Sequence, residues 1–351
     1  MKIDEKKLEQ FVGRIFGEIS AAYTGALVLI GDELGYYTAL KEGPLTSEEL
    51  AKKTGTTERY AREWLSAQAA AELLEYDPAK KKFSISPEVA EVLLNEDSPA
   101  YLMGGFYGVS AMYAGVPKLI QAFRNGKGVP WGEQHEHVFC ATAKFFRPTY
   151  QSQLIQTWIP SLQGNVESKL KKGAKVADVG CGFGTSTIIL AQAFPNSHFY
   201  GFDAHTPSIE KAREKAKEAG LKNVTFEVAK AKEFPGKGYD LVAMFDCLHD
   251  MGDPVGAAAH AKETLDSDGT MIIVEPFAHD HLEQNLNPVG RIYYAASTMF
   301  CTPSSLSQEV GLGLGAQAGE ARMRDVVTKS GFKNFRRATE TPFNIVYEAR
   351  L

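Results

Sequence analysis

The stretch Val176-Ala-Asp-Val-Gly-Cys-Gly-Phe-Gly-Thr185 decides the fold of this chain. It contains the pattern D-x-G-x-G-x-G, follows a short apolar run and precedes an apolar helical segment, 187–194. Strand, glycine turn and helix in this order let the backbone approach a nucleotide-like ligand where any Cβ would collide. A dinucleotide-binding loop has the spacing G-x-G-x-x-G. Here Gly184 comes one residue earlier and Asp178 precedes the first glycine by two residues, so the loop differs from the dinucleotide type.

A second acid supports a nucleotide-like ligand. Asp203 ends an apolar run, 198–203, and lies 19 residues beyond Gly184. A carboxylate at this place can accept both ribose hydroxyls of an adenosine. An isolated glycine turn is also found as an ordinary tight connection, but Asp203 and the elements after it disfavour that alternative. The glycine loop resembles motif I of class I S-adenosylmethionine (SAM) methyltransferases, in which the acid corresponding to Asp178 faces the methionine end of the cofactor, and Asp203 supports this resemblance.

The C-terminal half alternates strand-like and helix-like segments, which predicts an α/β fold with a parallel sheet covered on both faces. The predicted strands are 175–179, 198–203, 223–229, 239–247, 270–276, 335–341 and 343–349. Helices are predicted over 207–219, 255–265 and 319–330. The resemblance implies a seven-stranded, Rossmann-like methyltransferase sheet whose last strand is inserted antiparallel.

The N-terminal part has the pattern of a winged helix. An apolar helical segment, 25–40, is followed by 46–55, which has a capping-box start and a glycine stop. A long helix, 57–76, and a short hairpin, 77–86, complete it. The helix that would contact DNA carries four acids and two bases, and phosphate binding needs the opposite balance. The sequence therefore predicts that this winged helix does not bind nucleic acid.

Composition indicates a soluble enzyme. The chain has 351 residues, 44% hydrophobic and 23% charged, and a net charge of −5 that does not attract nucleic acid or anionic membranes. Four scattered cysteines without a C-x-x-C pair predict reduced thiols and a cytoplasmic protein. The polar N-terminus shows no secretory leader, and no apolar run approaches the ~20 residues of a membrane span, so we expect no membrane partner.

The segment 98–173 is rich in aromatic residues around a glycine-containing stretch, 126–132. We expect most of these side chains in the core or at the interface of a homodimer, and the remainder in an apolar lid over a substrate. His135, His137 and Cys140 lie close together, but the spacing H-x-H-x-x-C is not typical of a metal site. The sequence predicts no bound metal.

A histidine stands where a methyl acceptor would need a base. An alcohol, phenol or thiol must lose its proton before or during methyl transfer, and histidine suits this because its pKa lies near neutrality. The segment Phe245-Asp-Cys-Leu-His249-Asp250 follows the fourth predicted strand, at the edge where open α/β sheets bind ligands. A capping or packing role is the alternative for this histidine.

Winged helix, aromatic linker, motif I and the His-Asp pair together resemble the plant-type small-molecule O-methyltransferases over nearly the whole chain. The segments 245–254, 275–277 and 287–294 are more similar to a group of bacterial and nematode winged-helix methyltransferases. The resemblance implies that His249 is the general base and that Glu275 orients it. Glu320 is the candidate for a second orienting carboxylate, although the loop 306–318 before it does not align cleanly.

The resemblance also implies a set of residues that bind SAM. They are Asp178, Gly180, Gly182, Gly184, Thr185, Asp203, Lys230, Ala231 and Phe245. Lys230 departs from the family, which has an acid there to accept from the adenine amino group, because lysine has no acceptor. Adenine recognition must then depend on backbone groups near Ala231 or on Glu233.

The sequence thus predicts a winged-helix dimerisation domain (1–97), a helical linker and substrate lid (98–170) and a SAM-binding methyltransferase domain (171–351). The expected activity is methyl transfer from SAM to a hydroxyl or thiol of a small molecule by a homodimer. One alternative is a winged-helix transcription regulator with a SAM-like ligand-sensing domain, which a basic DNA-facing surface would support. A SAM-binding fold with non-methyl chemistry stays open.

Overall fold

The computed structural model describes residues 3–351. These divide into two compact units, residues 3–110 with Cys140–Pro148 and Ala111–Phe139 with Thr149–Leu351. Two helices, Met103–Asn125 and His137–Thr149, therefore contribute residues to both units. The domain limits at 97 and 170 stay a prediction.

The first unit is helical and has a small hairpin. Its helices are α1 (Glu5–Glu33), α2 (Tyr36–Lys41), α3 (Ser47–Thr54), α4 (Glu58–Ala70) and α5 (Pro87–Leu94), with parts of α6 (Met103–Asn125) and α7 (His137–Thr149). Strands β1 (Glu75–Asp77) and β2 (Lys82–Ser84) pair antiparallel and form the predicted wing. The predicted capping box is present, because Thr46 and Glu49 each bind the other's backbone N–H, and α3 ends at Gly55 with φ of 68°.

Three aromatic rings centre the core of this unit. Trp64 packs edge-on against Tyr36 and Tyr37, with ring centroids 4.8 and 5.2 Å away. Its indole N–H donates to the carbonyl of Leu27 at 2.8 Å, so the one polar atom of the ring is satisfied. Burial of side chains of this size stabilises a fold by about 2–3 kcal/mol each.

The first helix differs from the sequence prediction. The expected helix over 25–40 is two helices, because Gly35 adopts a left-handed φ of 67° between α1 and α2. Upstream, α1 extends to Glu5, and by length and composition alone it is apolar enough to cross a membrane. The expectation that no apolar run approaches this length was therefore wrong for α1. A single helix of this kind is weak evidence for a membrane span.

The charges of the winged helix are paired locally. On α4, Arg62 lies 3.3 Å from Glu58, and Arg59 contacts Glu63. In the wing, Lys82 lies 3.0 Å from Glu49. These bases each have an acid beside them, which leaves little excess positive charge for a phosphate backbone.

The second unit contains a seven-stranded sheet with strand order β5-β4-β3-β6-β7-β9-β8. The strands are β3 (Lys175–Val179), β4 (His198–Asp203), β5 (Val224–Val228), β6 (Tyr239–Phe245), β7 (Leu265–Pro276), β8 (Asn334–Glu340) and β9 (Asn344–Arg350). The first five run parallel, and β9 is inserted antiparallel between β7 and β8. The predicted fold class is confirmed.

Helices separate most of these strands. They are α8 (Val166–Lys172), α9 (Thr185–Ala193), α10 (Thr206–Glu218), α11 (Pro254–Thr264), α12 (Pro288–Ala296), α13 (Thr302–Leu306) and α14 (Gly319–Lys329). A π-helical segment, Tyr150–Trp158, and a second, Ser297–Cys301, interrupt the regular helices. The core between the sheet and its helices includes Met244, Ile273 and Val327, all inaccessible to solvent.

The fifth strand of the sheet begins earlier than predicted. Pairing with β6 moves from Leu265 opposite Tyr239 to Thr270 opposite Leu241, so four residues of β7 bulge out of the ladder. Asp268 and Gly269, directly before the predicted strand 270–276, lie within this bulge. From Thr270 onward the register is regular, and it brings Glu275 to the carboxyl edge of the sheet beside the end of β6.

Candidate active site

The glycine loop after β3 requires its glycines for two different reasons. Gly180, Gly182 and Gly184 have φ values of 76°, 52° and 72°, which favour glycine. A Cβ on Gly180 would lie 2.7 Å from the sulfur of Cys247, and one on Gly184 would lie 2.6 Å from the ring of Phe226. The loop therefore packs tightly on its protein side, and α9 begins directly after it at Thr185.

Asp178 is a buried carboxylate with one satisfied oxygen. Its Oδ2 accepts hydrogen bonds from the hydroxyls of Ser186 at 2.7 Å and Thr187 at 2.6 Å. Its Oδ1 is buried, and no donor among residues 3–351 reaches it. Burial raises the pKa of Asp178 to about 6. A buried acceptor without a donor fits a ligand that brings its own donor, such as the amino group of SAM.

Asp203 lies where the ribose of such a ligand is expected. It ends β4, and its two oxygens accept from the backbone N–H groups of Gly182 at 2.9 Å and His205 at 2.8 Å. Burial raises its pKa. Each oxygen keeps a further lone pair, so the carboxylate is held in place and can still accept two hydroxyl groups.

An aromatic stack beside Asp203 was not predicted. The ring of His205 stacks on Phe139, with centroids 4.3 Å apart and planes 15° apart, and Trp131 packs edge-on against Phe139. The sequence signal was the aromatic content of 98–173, but nothing local linked Phe139 to a residue 66 positions later. The stack lies two residues beyond Asp203, the carboxylate expected to bind the ribose.

The structure turns the Lys230 side chain to solvent. Its side chain is 73% exposed, with its ammonium 4.0 Å from Glu233, which is exposed as well. The backbone just before it is fixed, because the N–H of Ala229 donates to the carbonyl of Asp203 at 3.0 Å. The backbone at Ala229, two residues before Ala231, thus lies beside the end of β4, whereas the side chains of Lys230 and Glu233 are both exposed.

Phe245 ends β6 within an aromatic group. Its ring lies 5.7 Å from Tyr150 and 6.4 Å from Trp158, measured between centroids. The next residue, Asp246, has a left-handed φ of 51° and is buried. It accepts from the Tyr150 hydroxyl at 3.0 Å and from the Asn344 amide at 2.9 Å. Burial, together with nearby Glu275, raises the pKa of Asp246 to about 8.

His249 is buried between two carboxylates. Its Nδ1 contacts Glu275, at the end of β7, and its Nε2 lies 3.1 Å from Oδ1 of Asp250. Burial opposes the charged imidazolium, but Glu275 and Asp250 outweigh it and hold the pKa of His249 well above its usual value. The contact at Nδ1 fixes the ring so that Nε2 is the nitrogen available for proton exchange.

Glu320 binds two arginines and is not the second carboxylate beside His249. In the first turn of α14, its two oxygens accept from Arg324 at 2.6 Å and Arg337 at 2.8 Å. The second carboxylate at His249 is Asp250, its neighbour in the chain. The sequence contained the His-Asp pair, but only the coordinates show that the acid faces Nε2.

The backbone that carries His249 is held by a distant segment, 305–315, which we call the bracing segment. Ser305 and Gln308 donate side-chain hydrogen bonds to the carbonyls of Met251 and Asp250 at 2.8 and 3.0 Å. Gln308 also accepts from the N–H of Gly252 at 3.0 Å. Two backbone bonds add to these, Leu312 to Gly252 at 2.9 Å and Gly315 to His249 at 3.3 Å. The histidine loop is thereby fixed at every residue from 249 to 252.

Two family models match the chain. Residues 170–312 match a methyltransferase domain, and residues 22–95 match the Rv2258c-like winged HTH domain. The chain therefore contains a methyltransferase domain preceded by a winged helix, as the sequence analysis predicted.

Two curated relatives each match about a third of the chain. Aklanonic acid methyltransferase DauC of Streptomyces sp. strain C5 is 33% identical over 107 residues, which are 30% of this chain and 49% of that protein. Trans-aconitate 2-methyltransferase of Deinococcus radiodurans is 32% identical over 113 residues, 32% of this chain and 42% of that protein. The chain thus spans less than half the length of these relatives.

Solved structures share the whole fold. Mitomycin 7-O-methyltransferase MmcR is 20% identical with a TM-score of 0.69, and the match covers 99% of each chain. Human N-acetylserotonin methyltransferase, solved in complex with SAM, is 16% identical with a TM-score of 0.73, covering 97% of each chain. At these identities the similarity establishes the fold alone.

Proposed function

We propose that this chain, a methyltransferase domain joined to a winged helix, transfers the methyl group of SAM to a hydroxyl or thiol of a small molecule, with His249 as the general base. SAM is the cofactor of the domain, and the residues fit it. Asp178 offers a buried acceptor without a donor, and Asp203 keeps two acceptor positions at the end of β4. When bound, SAM supplies an electrophilic methyl group on a sulfonium.

The observation that carries the proposal is the position of His249 between Glu275 and Asp250. Nε2 takes the proton from the acceptor, and Glu275 at Nδ1 stabilises the imidazolium that forms. The two carboxylates hold the pKa of His249 above its usual value, so the neutral ring is a stronger base than free histidine and is populated at higher pH. The bracing segment keeps the ring in place, so little reorganisation accompanies the proton transfer.

The test is His249→Ala, with His281→Ala as the matched control because His281 is an exposed histidine of the same unit. Turnover of a phenol should fall by roughly 10²- to 10⁴-fold in His249→Ala. The SAM affinity of both variants should match that of wild type. Turnover of a thiol should fall less in His249→Ala, because thiols ionise near pH 8.5 and part of the acceptor is already a thiolate. If His249→Ala keeps the wild-type turnover on every acceptor, His249 has a structural role.

We also propose that the protein is a cytoplasmic homodimer. Two helices expose apolar stripes at helical spacing, one on each unit. The stripe of α1 comprises Leu8, Val12, Ile15, Phe16, Ile19 and Tyr23. The stripe of α6 comprises Tyr113, Val116, Ile120 and Phe123. Phe16 is 74% exposed and Phe123 73% exposed, and surfaces of this kind are typical of subunit interfaces.

The rival function, a transcription regulator that senses a SAM-like ligand, has less support. Arg59 and Arg62 of α4 and Lys82 of the wing have acids beside them, and binding to DNA through these bases would require the pairs to break. A methyl-transfer assay with labelled SAM distinguishes the two functions directly, because a sensor binds the cofactor without consuming it.

A further inference from the structure

Three side chains with different ligand atoms meet on the Nε2 side of His249. They are His249, Asp250 and Cys301, and Nε2, a carboxylate oxygen and Sγ all lie within 4.8 Å of one another. Nε2 and Oδ1 of Asp250 are 3.1 Å apart. Cys301, at the end of a π-helical segment, and His249 are buried. We call these three residues the N/O/S cluster.

The donor set of the N/O/S cluster selects a class of cation. An imidazole nitrogen, a thiolate and a single carboxylate suit Zn²⁺ and similar thiophilic ions, whereas Mg²⁺ and Ca²⁺ prefer oxygen alone. Three protein ligands with a fourth position open is the arrangement of catalytic zinc sites. Their separation allows a common metal at about 2.0–2.3 Å from each atom after small side-chain movements.

The residues around the N/O/S cluster also favour Zn²⁺ and similar thiophilic ions. Glu275 contacts Nδ1, so the proton of the neutral ring is held there and the lone pair of Nε2 faces Asp250 and Cys301. In zinc sites, one ring nitrogen of a histidine usually binds the metal while the other donates its N–H to a carboxylate. Oδ1 of Asp250 is buried, and its contact is Nε2 of His249 at 3.1 Å. A cation bound by both atoms would take the place of that contact.

We propose that the N/O/S cluster binds one Zn²⁺-class cation, and that this cation reversibly inhibits methyl transfer. On binding, Cys301 forms a sulfur–metal bond and releases its thiol proton to solvent, and any proton on Nε2 leaves in the same way. The metal then occupies the lone pair that takes the acceptor's proton. The inhibition rests on the proposed role of His249 as base, whereas the binding does not.

Cobalt is the probe for binding, because Co²⁺ replaces zinc and its thiolate complexes absorb in the near ultraviolet. The full chain, freed of metal with a chelator and kept without SAM or acceptor, is titrated with Co²⁺. We expect a sulfur-to-cobalt band that saturates at one equivalent and disappears when Zn²⁺ is added. Cys301→Ser should lose this band. Cys140→Ser, in the first unit and outside the cluster, should keep it.

Absence of the band in wild type, or its persistence in Cys301→Ser, would overturn the site. Circular dichroism of both variants checks that they fold, and Cys301→Ala serves if the serine variant does not. Because SAM and acceptor are absent, this result is independent of the proposed enzymatic activity.

Activity is measured second. Zn²⁺ should slow methyl transfer by the wild-type protein, and the chelator should restore the rate. In Cys301→Ser the inhibitory concentration should rise by at least about tenfold, since the cluster loses its sulfur ligand. Faster transfer with Zn²⁺ would overturn the inhibition. A cobalt band in a protein that methylates no acceptor would count against the proposed function and leave the metal site standing.

Discussion

Replacement of Asp178 by asparagine should make the unliganded protein more stable at neutral pH while it weakens SAM binding. The carboxylate is buried, its Oδ1 has no donor among the described residues, and burial raises its pKa to about 6. In the unfolded chain the same group has the ordinary value of 3.8. The folded protein therefore holds a charge that costs free energy until a ligand compensates it.

The magnitude follows from the two pKa values of Asp178. Below pH 3.8 the group is protonated in both states and contributes nothing to the difference. Between 3.8 and 6 the unfolded chain loses its proton first, so rising pH favours unfolding. Above pH 6 the accumulated cost is constant at about 3 kcal/mol, because a tenfold change in proton affinity corresponds to about 1.4 kcal/mol. The asparagine side chain of the variant is uncharged, so the variant lacks this contribution.

Urea unfolding of wild type and Asp178→Asn at several pH values measures the effect. The free energy of unfolding of the variant, relative to wild type, should rise by about 2–3 kcal/mol from pH 4 to pH 7.5. The hydrogen bonds from Ser186 and Thr187 exist at both pH values and largely cancel in this difference. Asp325→Asn, at an exposed acid of α14, should show no such change. If the difference in the free energy of unfolding between wild type and Asp178→Asn stays constant from pH 4 to pH 7.5, the reasoning is refuted.

Three shorter predictions concern the rest of the site and the surface. Asp203→Ala should fold normally and bind SAM roughly 10- to 100-fold more weakly in calorimetric titration, because two hydroxyl groups lose a charged acceptor; unchanged affinity would exclude the ribose role. Gln308→Ala removes two hydrogen bonds from the histidine loop, so kcat should fall while the KM for SAM stays the same. A fall in kcat together with an equal rise in the KM for SAM would indicate general unfolding. Phe123→Glu places a charge in the α6 stripe and should shift the mass in light scattering from dimer toward monomer, whereas a monomeric wild type would contradict the homodimer.

The elements that were predicted correctly depend on short-range patterns. The glycine loop and the acids at Asp178 and Asp203 lie within or directly after one strand–turn–helix unit, and the capping box at Thr46 lies within the first turn of α3, so spacing alone locates them. The break at Gly35 was missed because apolar residues continue on both sides of it, and only its left-handed φ ends the helix.

The parts of the site that the sequence analysis missed depend on contacts between residues that are far apart in the chain. Asp246 is fixed by Tyr150 and Asn344, which are 96 and 98 positions away. Gln308 reaches the histidine loop from 58 positions away, through a loop whose glycines gave no recognisable pattern. Sequence spacing carries no information about such pairs, because the sheet and its connections decide which segments meet. For the same reason Glu320 looked suitable by position, whereas Asp250 is the acid that faces Nε2.

The bracing segment gives the two halves of the site different places in the order of synthesis. Asp178 and Asp203 draw their hydrogen-bond partners from residues 182–205, so a ribosome has released everything they need well before the chain is complete. The histidine loop waits for residues 305–315, and Asp246 waits for Asn344. A growing chain thus acquires the residues proposed to bind SAM first and the proposed base last. A chain that ends after the fifth parallel strand would contain the hydrogen-bond partners of Asp178 and Asp203 but would lack the bracing segment that holds His249.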